Sequence, residues 1–171
     1  MKKRRPDSTS IMRLQRIARS DRIPRHEHRV REFSRDYRLI IDFGDRYTID
    51  AAGAARLIRA VTGESNVPAP HIATNSRRRV DTGQCWAPRW YVIETNGVER
   101  LTAWEQHYRR PYPEHGQIRI GTTTTLRTLA HEIGHHLVHH LDPLGTPAHG
   151  KVWVGRFDDA MEAIAGRVSS G

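Results

Sequence analysis

Apolar positions recur with a helical period in three stretches of this chain. In the longest, Leu126, Ala130, Ile133, Leu137, Val138 and Leu141 gather on one arc of a wheel drawn at about 100° per residue. His131 and His135 fall at the edge of that arc, with Thr128, Glu132 and His139 beyond them. The pattern predicts an amphipathic helix over 126–141, with a core face beside a polar face. Thr122 to Thr125 supply its N-cap, and Asp142-Pro143-Leu144-Gly145 closes it, because proline disfavours helix at the residue before it. Val152, Trp153, Phe157, Ala160, Met161 and Ile164 mark a second helix. A third runs from Ala51 to Val61, capped by Asp50 and stopped by Thr62-Gly63, with Leu57, Ile58 and Val61 facing the core.

Strand patterns lie between the helices. His71 to Thr74, Gly83 to Ala87 and Trp90 to Glu94 read as strands from their β-branched and aromatic content. Gly116 to Gly121 alternates and forms a strand running into the 126–141 helix. The apolar run Leu39-Ile40-Ile41 before Gly44 reads equally as a strand or a docking segment. Residues 95–116, with Trp104, His107, Tyr108, Tyr112 and His115, read as a loop-rich insertion of lid length. Mixed helices and a small mixed sheet give an α+β class, and 171 residues suffice for one domain and some extra chain.

The chemistry sits on the 126–141 helix, which contains His131-Glu132-Ile133-Gly134-His135, an H-E-x-x-H run. On a helix, residues four apart share a face, so both imidazoles reach one zinc ion while the glutamate stands beside it. His139 is an unsuitable third ligand: 131, 135 and 139 together span about 12 Å of helix axis, against zinc–nitrogen bonds of about 2 Å. His136 and His140 point away and read as surface or outer residues. His149 follows a Pro- and Gly-rich turn that returns the chain over the metal, and it opens a packed helix. It is favoured over the acidic competitors Asp142, Asp158 and Glu162.

Paired with His149-Gly150-Lys151-Val152-Trp153, the His131-Glu132-x-x-His135 run resembles the SprT-like (Spartan-type) zinc metalloproteases, over about residues 47–168. Gly83-x-x-Trp86 has a similar flavour. The resemblance implies a zincin-like domain, His131, His135 and His149 as zinc ligands, Glu132 as general base, and substrates among DNA-associated proteins. It also implies, by analogy with zincins, that the strand before the metal helix lies at an edge and binds substrate backbone. Two departures stand out. Val152 occupies a position often acidic in the family, and a chain whose single cysteine is Cys85 cannot build the Cys-rich ribbon that many members carry.

The charge of +9 is concentrated at the start of the chain. Residues 1–38 hold 13 Lys/Arg against 5 Asp/Glu, and residues 39–171 hold 15 against 14. This divides the chain into a basic arm, 1–38, partly disordered or helical, and a metalloprotease domain, 39–171. Arginines spaced three apart from Arg13 to Arg25 would form a stripe on a helix. Such an arm contacts nucleic-acid phosphate or is a solvated tail. Arg77-Arg78-Arg79 reads as a solvated turn. No run suits a signal peptide or membrane span, and one cysteine points to a reducing, cytoplasmic setting; Cys85 reads as a small buried hydrophobe.

These residues predict a zinc endopeptidase acting on protein or peptide. Glu132 takes a proton from the attacking water, and Tyr112, Tyr91 and His115 are the candidates for steadying the oxyanion. Two alternatives differ in kind. One is a repressor-cleaving peptidase of ImmA/IrrE type, which Leu129 to His135 also suits and which would recruit a downstream Glu such as Glu162. The other is a nucleic-acid-binding protein with a structural zinc. Three protein ligands beside a glutamate weigh against the latter, since structural sites are closed by four.

Overall fold

A computed structural model describes residues 15–16 and 26–169 of the chain, and most of the basic segment lies outside them. Of the arginine-striped helix expected over 13–25, the one described piece is Gln15–Arg16, a short strand, β1, rather than helix. It pairs antiparallel with β2, Tyr47–Asp50. From His26 onward the stretch counted above with the arm is packed. Helix α1 (Glu27–Phe33) buries Val30 in the core, and just after it Ser34 Oγ and Arg35 N donate to the buried carboxylate of Asp158 at 2.7 and 2.8 Å.

The ambiguous run after it is neither strand nor loose. Tyr37–Leu39 forms a short helix, α2, whose N-cap Asp36 accepts from the Leu39 amide, and Ile40–Gly44 continues as a π-helical turn with Ile40 fully buried. Asp50 then caps α3, Ala51–Glu64, by accepting from the Gly53 amide at 2.8 Å. This helix runs through Gly63, past the expected stop. Buried Thr62 bonds its hydroxyl to Ile58 O at 2.7 Å, and that packing outweighs the glycine.

Two three-stranded sheets frame the core. In the first, β2 lies between β1 and β6 (Thr123–Thr125). In the second, β5 (Gln117–Gly121) lies between β3 (His71–Asn75), parallel to it, and β4 (Gln84–Trp86), antiparallel. The expectation of β5 as an edge strand is thereby corrected: a hydrogen-bonded neighbour flanks it on each side, and β3 and β4 are the edges.

Two further expectations fail between β4 and β5. Trp90 to Glu94 is not a strand but part of α4, Arg89–Asn96. Strand preference of aromatic residues is weak and yields to packing; here Tyr91 meets His139 at 4.8 Å and Trp90 meets His140 at 6.3 Å between ring centroids. The supposed loop contains α5, Val98–Tyr108, separated from α4 by Gly97 at φ 82. Leu101 buries one face of α5, and Trp104 packs edge-on against Trp86 at 5.1 Å.

At the centre runs α6, Leu126–Leu141, capped by Thr125, whose hydroxyl accepts from the Thr128 amide at 2.9 Å. It is less two-faced than its wheel implies. Glu132, Thr128 and His136 are buried along with the apolar arc, whereas Leu141, expected in the core, is exposed. Its main partner is α7, Lys151–Ser169, which buries Trp153, Val154, Phe157, Ala160, Met161 and Ile164 and leaves Val152 outside. The helices meet closely at Gly134: a Cβ there would stand 3.1 Å from Trp153 Nε1 and 3.2 Å from the Phe157 backbone.

Candidate metal centre

Three imidazoles converge where α6 meets the loop entering α7. His131 and His135, one turn apart on α6, bring their Nε2 atoms to 3.2 Å, and His149 Nε2 lies 2.9 Å from that of His135 and 3.1 Å from that of His131. Two nitrogens held by one tetrahedral zinc ion stand about 3.3 Å apart, given bonds of about 2.05 Å. A neutral imidazole has one N–H, directed in its ring plane, so a triangle of three facing Nε2 atoms is poorly served by hydrogen bonds and well served by a cation. Among the described residues this is the one group of three or more His, Cys, Asp or Glu side chains so arranged. The donor set therefore fits a metal ion.

Burial keeps the three rings neutral, the state in which they ligate. It pushes His131 down to about 3, His135 to about 2 and His149 to about 4, with the neighbouring imidazoles adding to the effect on His131 and His135. Trp153 forms the floor, its ring centroid 4.7 Å from His131, 5.3 Å from His135 and 4.8 Å from His149.

His149 reaches the site through a tight connection. Asp142 ends α6 and its carboxylate is gripped by Arg156 of α7 at 2.9 and 3.0 Å. Pro143 O accepts from Thr146, Gly145 turns at φ 81, and His149 itself adopts φ 61. The acidic competitors are engaged elsewhere: Asp142 with Arg156, Asp158 with Ser34 and Arg35, and Glu162 with Arg35.

Glu132 is 5% exposed, and burial pushes its carboxyl up to about 8 while the Arg78 guanidinium pulls it down. Its carboxylate rests on Gly83, at the foot of the edge strand β4. The reading of Arg77 to Arg79 as a solvated turn holds for Arg77 and Arg79 and needs correction for Arg78, which is half-buried with its Nε enclosed and unpartnered. The loop carrying it is pinned to the N-cap of α6, because Val80 O accepts from the Thr125 amide at 2.9 Å.

The remaining histidines of α6 do not join the triad. His136 is fully buried rather than a surface residue, and its Nε2 donates to Pro68 O at 2.8 Å, tying α6 to the segment before β3. His139 lies against Tyr91, and His140 against Trp90 and His136. Of the candidate oxyanion donors, Tyr112 is withdrawn: its hydroxyl donates to Ala87 O at 2.6 Å, and burial pushes it up to about 12. His115 lines a separate cleft of about 330 Å³ with His71 and Arg110. Tyr91 stands one turn of α6 beyond His135. Burial raises the Cys85 thiol well above its ordinary value, and among the described residues it is not part of the candidate metal group.

Among known proteins, no family model, curated protein or solved structure matches this chain. Geometry alone therefore supports the assignment. Sequence reasoning missed two contributors, both brought in by tertiary contact: Arg78, and His26, which stacks on His149. Among the described residues no helix is long and apolar enough to cross a membrane.

Proposed function

We propose that the chain is a zinc-dependent endopeptidase with a zincin-like, SprT-like catalytic domain. The observation that carries the reading is the convergence of three neutral imidazole Nε2 atoms at 2.9–3.2 Å, with the buried carboxyl of Glu132 next along the same helix. His131, His135 and His149 would hold a zinc ion, which when bound would supply Lewis-acid chemistry and make a water there easier to deprotonate. Glu132 accepts the proton of the attacking water and returns it to the leaving amine.

The substrate backbone lies along β4, the edge strand beside Glu132, as an added strand. In a repressor-cleaving peptidase of ImmA/IrrE type the third ligand would be a downstream Glu; Glu162 instead pairs with Arg35 on an exposed face, which favours His149. DNA-associated proteins are the proposed substrate class, with the basic segment 1–38 as the nucleic-acid contact.

The test is cleavage of casein and of a DNA-binding protein, with and without single- and double-stranded DNA, by wild type and Glu132→Gln. Cleavage by wild type that is lost in Glu132→Gln supports the peptidase, and dependence on DNA supports the substrate class. Equal cleavage by Glu132→Gln would end this mechanism.

A further inference from the structure

We infer that His26 is a positioning residue of the metal centre, its imidazole stacked on the ring of His149. The two imidazoles stack with centroids 3.6 Å apart and planes within 12°. His149 also meets Trp153 edge-on, at 4.8 Å between centroids and 78° between planes. The inference rests on the reading of His131, His135 and His149 as metal ligands.

His149 is the ligand that needs such support. His131 and His135 are set by α6, whose backbone hydrogen bonds hold both side chains on one face. His149 sits on a loop in the left-handed backbone region, and no helix carries it. Histidine ligands are commonly oriented by an outer partner, and removing that partner weakens metal binding about 10–100-fold. Here the outer partner is a ring face rather than a carboxylate.

His26 is itself well anchored. It precedes α1 at φ 68, and the next residue, Glu27, forms a buried ion pair with Arg127 of α6 at 2.5 Å. Val30 is buried, and the end of α1 is tied to α7 through Ser34, Arg35 and Asp158. These contacts fix His26 relative to both helices that build the site.

Stacking also excludes His26 from direct ligation in this arrangement. An imidazole lone pair lies in its ring plane, and two nearly parallel planes 3.6 Å apart do not bring their lone pairs to one point. A metal-bound nitrogen must lie about 2 Å from the ion. His26 therefore acts through His149.

The experiment is zinc affinity of the full chain, by competition with a chromophoric chelator, for wild type, His26→Asn, His26→Gln and His26→Phe. Asn removes the ring while tolerating the left-handed backbone, and Gln is a second ring-free variant; thermal melting of the metal-free forms checks that each folds. Ring removal is expected to weaken zinc binding about 10–100-fold, and Phe, which keeps the stack, to restore it to within about threefold of wild type. Wild-type affinity in the folded Asn or Gln variants would overturn the inference. So would a Phe variant as weak as Asn, because a ring nitrogen would then be the operative group. Failure of wild type to bind zinc would instead overturn the metal-centre reading beneath it.

Discussion

Gly83 leaves room for the carboxylate of Glu132. A Cβ at position 83 would stand 2.7 Å from Glu132 Cγ and 2.8 Å from its Oε1, closer than real Cβ contacts come. The glycine is needed here for space, since its neighbour is a side chain rather than a strained turn. Gly83→Ala is therefore expected to push the carboxylate aside while the fold persists. The peptidase reading expects kcat to fall by at least about tenfold, the scale of displaced catalytic groups, with zinc content unchanged. Unaltered kcat would show that Glu132 is not needed where it now lies.

The ion pair between Glu27 and Arg127 joins α1 to the metal helix, with side chains only 11% and 8% exposed. Asp45 gives Arg127 a second partner at 3.2 Å. Breaking a buried pair strands a charge, and Glu27→Gln is expected to cost about 3 kcal/mol. Arg35, which pairs with Asp159 and Glu162 at the surface, provides the contrast: replacing either acid by its amide is expected to cost under about 1 kcal/mol. Chemical denaturation of the metal-free protein reads both. Equal, small losses would mean that α1 is held by Val30 and the Asp158 contacts instead.

Glu132 and the ligand histidines give the metal-free protein opposite responses to pH. The folded pKa of Glu132 is raised to about 8 by burial, so its contribution is present below its unfolded value near 4.5 and is lost as pH rises towards 8. The three imidazoles have folded values of about 2 to 4, below the unfolded value near 6.5, so stability falls as pH drops from 6.5 towards 4. Glutamine does not titrate. Between pH 5 and 8 the melting temperature of metal-free wild type is therefore expected to fall relative to that of Glu132→Gln. Parallel curves would contradict the buried, uncharged carboxyl.

What could be read in advance was local. His131, Glu132 and His135 share one helix, and a four-residue spacing is visible in any linear string. His149 was reachable because the length of a straight helix rules out His139, and because a turn and a packed helix flank it. The burial of His136 was not legible, since its partner Pro68 lies far along the chain. Trp90 to Glu94 carries strand-like residues, yet it forms the helix α4, which packs beside α5 with none of its side chains fully buried. Helix α5 did leave a signal in the spacing of Val98, Leu101, Trp104 and Tyr108, which the polar residues between them obscured. The central position of β5 depends on β3 and β4 pairing from either side, and no pattern within Gln117–Gly121 announces it. Gly83, Arg78 and His26 reach the site only through folding.

The most direct measurement is zinc per chain in purified wild type, Glu132→Gln and His149→Ala, with proteolysis assayed on the same samples. One zinc is expected in wild type and in Glu132→Gln, activity in wild type alone, and loss of both metal and activity in His149→Ala. A His149→Ala protein that keeps its zinc and its activity would contradict the three-histidine centre.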